Sequence, residues 1–101
     1  MYIKGFAISR PKIVQVFGLD PSDTEMVEGY VWETLEWLRK DRDEFLFIGC
    51  GEKDGKRRLV VVLDVDEDED MLKGRPSKPL EVTLKGALPV LDGPDIWLRK
   101  A

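Results

Sequence analysis

The chain has no histidine and no asparagine, a single glutamine (Gln15), a single cysteine (Cys50) and six Ser/Thr hydroxyls among 101 residues. Each shortage closes a class of chemistry. Without imidazole, no side chain titrates near neutrality at its ordinary pKa, and neither a Ser-His nor a Cys-His nucleophile can be assembled. A zinc site would draw on one thiolate and otherwise carboxylates, unlike the Cys/His sets of structural zinc. One cysteine closes no intrachain disulfide, and with no signal-peptide pattern this points to the reducing cytoplasm. No apolar run approaches the ~20 residues of a membrane-spanning helix, so no membrane partner is expected. There is no glycine-rich phosphate loop, and no cofactor is expected.

What is present is charge: 36% of residues are charged and 43% hydrophobic, with a net charge of −4. Few amides with many Lys, Arg, Glu and Asp is the composition that heat selects, and a thermophilic source is the reading. The apolar fraction and the length suit one domain with one core, residues 1–101.

The charges are blocked. Residues 1–19 carry Lys4, Arg10 and Lys12 and no acid; residues 20–36 carry six acids and no base. Six more acids stand between Asp64 and Asp70. Such blocks can pair within one molecule or steer a charged partner.

Patterning predicts an α+β fold with a single main helix packed on an antiparallel sheet of about four to six strands, in the order β-β-α-β-β-β with a possible final strand. Residues 2–8 and 13–17 read as strands broken at Pro11. Asp20-Pro21-Ser22-Asp23 starts a helix that runs to about Lys40, with Val27, Val31, Thr34, Leu35 and Leu38 on one face and Trp32 among Glu25, Glu28 and Glu36 opposite. Phe45–Cys50 and Leu59–Leu63 form a hairpin around Asp54-Gly55, a pair suited to the positive backbone angles of a tight turn. That register pairs Lys53 with Lys56 and Glu52 with Arg57, and leaves both hairpin faces apolar. Leu80–Lys85 alternates like a strand, and Ile96-Trp97-Leu98 reads as a last edge strand or a docking segment.

Two apolar hairpin faces and one helix leave a face to be covered by the N-terminal strands, the C-terminal segment or another copy of the chain. A homodimer is the expectation, with Trp32, Phe45, Phe47, Val60 and Val62 at the interface, in a non-catalytic protein–protein interaction or regulatory module. The alternative is an RNA-binding protein or small ribonuclease acting through Lys53, Lys56, Arg57 and Arg58 at the hairpin tip; a sequence pI near 4.9 weighs against a nucleic-acid partner. A third site, Asp64, Asp66 and Asp68, offers hard oxygen ligands for Mg²⁺ or Ca²⁺, although the calcium-loop pattern fails. Cys50, between Gly49 and Gly51, reads as a buried structural thiol.

The heat-adapted composition yields the first prediction. A calorimetric melting midpoint above the ~45–65 °C of mesophile domains is expected, and a midpoint inside that range counts against the thermophilic reading.

Overall fold

A computed structural model describes residues 1–41, 47–75 and 78–100, with the side chains of 38–41, 78 and 80 excepted. It is α+β, with four antiparallel strands and four helices in the order β1 (Tyr2–Ile8), α1 (Arg10–Phe17), α2 (Thr24–Asp41), β2 (Phe47–Lys53), β3 (Lys56–Asp66), α3 (Glu69–Gly74), α4 (Lys78–Ala87) and β4 (Leu91–Lys100). The strands pair in the order β1-β3-β2-β4 and close on themselves as a barrel.

The β2–β3 hairpin follows the expected register, from Phe47 opposite Val62 to Lys53 opposite Lys56. Asp54 and Gly55 both take positive φ, 53° and 77°, as a two-residue turn that follows the twist of its strands requires.

Two segments expected as strands are helices. In residues 10–17, Ser9 caps the start by accepting the Lys12 amide on Oγ at 3.3 Å, Pro11 sits in the first turn, where its missing N–H costs nothing, and Gly18 ends the helix in the left-handed conformation at φ 65°. In residues 78–87, Pro79 likewise stands near the start. There the apparent alternation is accidental: Leu84 is fully buried, Val82 is 72% exposed, and the Thr83 hydroxyl donates to the Pro79 carbonyl one turn back at 2.9 Å. Both segments are the short, β-branched kind whose local preference tertiary packing overrides. The Ile96–Leu98 segment is a strand, but β4 lies between β1 and β2, not at an edge.

The helix expected from residue 20 begins at Thr24, with Asp23 as its cap, donating no proton but accepting the Met26 amide on Oδ1 at 3.2 Å. Asp20 instead holds the preceding turn through the Ser22 amide and hydroxyl. Val27, Val31, Thr34 and Leu35 are buried as the periodicity predicts; the Leu38 side chain lies outside the described residues.

The hairpin's two apolar faces serve two cores. Val61 joins Phe6, Ile8, Leu91 and the helical residues Ile13, Val27, Val31, Leu35 and Leu84 outside the barrel. Val60 and Val62 join Ile3, Ala7 and Trp97 inside it. The second face is thus covered within one chain by closure of the sheet.

So narrow a barrel admits one large side chain. Trp97 takes that place because Gly51 faces it: a Cβ on Gly51 would lie 2.6 Å from the Trp97 Cβ. Gly5, where β1 slips register against both neighbours, is tighter still, since a Cβ there would sit 2.0 Å from the Val61 carbonyl oxygen. The Trp97 Nε1 is buried without a hydrogen-bond partner. Leaving that donor unsatisfied costs about 1–3 kcal/mol. Burying 150–250 Å² of ring contributes ~4–6 kcal/mol as an upper bound, so the tryptophan stays in.

Gly51→Ala should therefore destabilise the fold by about 1–3 kcal/mol through overpacking. Gly29→Ala, on α2 with open space at its Cβ, should stabilise it by about 0.5–1 kcal/mol. Urea unfolding midpoints of the two variants test the contrast.

Candidate binding groove

The turn from β1 into α1 fixes the first wall of a groove. Ser9 donates its amide to the Val90 carbonyl at 2.9 Å, which ties the start of α1 to the start of β4. The opposite wall is the tip half of the β2–β3 hairpin. Between them lies a volume of about 540 Å³ with Ile8, Val31 and Leu59 as apolar floor and Arg10, Lys56, Arg57 and Arg58 around it. The N-terminal end of α1 adds its partial positive charge to this rim.

Salt links show which cations are committed. Asp92 joins Lys12 at 2.7 Å and Arg58 at 3.1 Å. Arg10 pairs with Glu28 of α2. Glu52 lies 3.7 Å from Arg57 and 3.5 Å from Lys100. Lys56 has no ion-pair partner among the described residues. Among the described residues, five cations therefore share three carboxylates here and Lys56 has none, on a chain whose net charge is −4.

Burial raises the Asp92 pKa, but hydrogen bonds from Lys12 and Arg58 and the charges of both outweigh it, so the carboxyl titrates below the ordinary aspartate value. Asp95 behaves alike: burial raises its pKa, while the Lys53 ammonium and the Ile96 amide bring it below normal.

The four hairpin-tip cations do not act together. Lys53 pairs with Asp95, and its Nζ lies 5.9 Å from the Trp97 ring centroid. Arg58 also donates to the Ile8 carbonyl at 3.1 Å, and its Cζ stands 5.9 Å from the same ring. These two close the tip end of the barrel over Trp97. Lys56 is unpaired among the described residues and Arg57 meets Glu52 only at 3.7 Å, so these two are the rim cations most open to a ligand, and Arg10, paired with Glu28, stands beside them. Arg10 was missed as a groove residue because 13–17 reads as a strand and Arg10-Pro11 as the break before it; Ser9 followed by Pro11 is the helix-start signal that finds it.

Among the expected interface residues, Val60 and Val62 have no exposed surface, so these two lend a second copy no support. Phe47 is 41% exposed with the Arg99 guanidinium over its ring, Trp32 is 57% exposed, and Phe45 lies outside the described residues. Cys50 is half-buried and lines the groove. It is Gly49 and Gly51 that face the barrel interior, toward Ile3, Val62 and Trp97.

The acidic run at the end of β3 is internally engaged. Arg75 reaches Asp64 at 3.0 Å, Asp66 at 2.9 Å and the Val65 carbonyl at 3.0 Å, while Asp68 caps α3 by accepting the Asp70 amide. Among the described residues, no three Cys, Asp or Glu side chains converge as a metal site. No described helix is long and apolar enough to cross a membrane.

Compared with protein-family models, curated proteins and solved structures, the chain matches none of them.

A carboxylate with a depressed native pKa adds stability that is complete above the unfolded value of about 3.9 and lost as pH falls through the native value below it. Asp92→Asn should therefore cost about 1 kcal/mol or less at pH 7. The gap from the unsubstituted chain should stay constant down to about pH 5 and close below about pH 4. Chemical denaturation across that range reads it out.

Proposed function

We propose that this chain is a non-catalytic binding module that holds RNA along the cationic groove. The observation that carries the reading is the local reversal of sign: Arg10, Lys56 and Arg57 stand around an apolar floor on an acidic protein. Phosphates bind such cations by releasing condensed counterions, and the partly exposed Leu59 offers a base an apolar contact. Net charge sets the far field, while the groove sets what is held at contact distance.

Binding fits this groove better than cleavage. A general base works when its pKa lies near the operating pH. Asp92, the carboxylate in the groove, has both oxygens occupied by Lys12 and Arg58, which hold it ionised and paired. Cys50 has no imidazole in the chain to activate it.

The test is fluorescence anisotropy with a labelled single-stranded RNA at several salt concentrations. Lys56→Ala with Arg57→Ala should weaken binding on the order of tenfold and flatten the log–log salt slope by roughly 0.7 for each cation removed. Lys73→Ala, on α3 and paired with Glu69, should change neither. Binding that is absent at 50 mM salt, or indifferent to Lys56 and Arg57, refutes the reading.

A further inference from the structure

The groove divides two surfaces of opposite charge. On the hairpin side, among the described residues, Lys56 has no ion-pair partner, and Arg57, with two-thirds of its side chain exposed, is held only by Glu52 at 3.7 Å. On the α2 side, Glu28 anchors Arg10 at the rim. Glu25 precedes Glu28 by three residues and Trp32 follows it by four, so both share its flank of the helix, and Glu36 extends the row by another turn. Trp32 is 57% exposed, and neither Glu25 nor Glu36 has an ion-pair partner among the described residues.

We propose that a second copy of this chain docks across the groove about a two-fold axis, placing Lys56 and Arg57 of each copy against Trp32, Glu25 and Glu36 of the other. A cation–anion arrangement that reverses across an apolar centre is self-complementary under a two-fold rotation, which is the requirement of an isologous dimer. Leu59, 41% exposed at that centre, meets its own symmetry mate region, and the Arg57 guanidinium gains a tryptophan face. A stable interface needs roughly 800 Å² from each partner. That is about an eighth of the chain's 6458 Å². This dimer uses none of Val60, Val62 or the barrel interior.

Sedimentation velocity of the full chain, without RNA, from 10 to 500 µM in 50 and 300 mM salt tests the proposal independently of the RNA reading. A dimer that weakens with salt is expected. Lys56→Glu with Arg57→Glu, and separately Glu25→Lys with Glu36→Lys, should each weaken self-association at least tenfold, since each variant then faces itself with like charge. An equimolar mixture of the two variants should associate again, because both reciprocal contacts regain opposite sign, and that recovery also shows both variants folded. Trp32→Ala and the milder Glu25→Gln with Glu36→Gln should weaken the dimer with circular dichroism unchanged. A chain that stays monomeric at 500 µM in 50 mM salt, a mixture that does not re-associate, or a dimer untouched by these substitutions overturns the proposal.

Discussion

A barrel of four strands leaves almost no space within, and the way that space is filled governs the rest of the molecule. Eight strands already leave an interior only wide enough for side chains. Four must be filled by small residues around one ring, and this sequence supplies Ala7, Val60 and Val62 around Trp97, with glycines where the ring presses on the backbone. Because closure consumes one face of the hairpin, only the other is left for helices, and α1, α2 and α4 gather on it.

The same interior explains the division of labour among the charges. The tip end of the barrel is finished by Lys53 and Arg58, whose charges lie near the tryptophan ring and are balanced by Asp95 and Asp92. At the other end of β3, Arg75 draws Asp64 and Asp66 together, and its carbonyl accepts the Lys4 ammonium at 3.1 Å. Charges committed to holding strands and helices in place are thereby withdrawn from the surface chemistry. What remains uncommitted or loosely held, chiefly Lys56, Glu25 and Glu36 with Arg57 at 3.7 Å from Glu52, is a better guide to partners than the net charge.

The hairpin, its turn and its register were legible in the sequence because Asp54-Gly55 admits few alternatives and the apolar runs on either side are long. The buried face of α2 was legible from its period. Residues 10–17 and 80–85 were not: each holds β-branched residues whose spacing suits strand or helix, and the arbiter is a helix-start signal, Ser9 with Pro11 or Pro79 itself, that competes with the reading of proline as a strand breaker. The two apolar hairpin faces were seen correctly, and the N-terminal strand and the C-terminal segment were among the covers weighed, but nothing local distinguishes a strand that closes a barrel from one that awaits a partner. The same ambiguity hid the groove. Its basic hairpin wall could be read from the sequence, whereas Arg10 reaches it only through a helix whose strand-like pattern concealed it.

Gly5 shows what so tight a construction implies for the history of the chain. A side chain there meets the Val61 backbone oxygen and not a movable side chain, so no neighbouring substitution can make room for it. The position is closed to drift. Lys56 and Arg57 at the groove rim, by contrast, are exposed side chains whose charge can be exchanged without disturbing the barrel. A lineage built on this fold can change what it binds many times while its first strand must keep the same glycine.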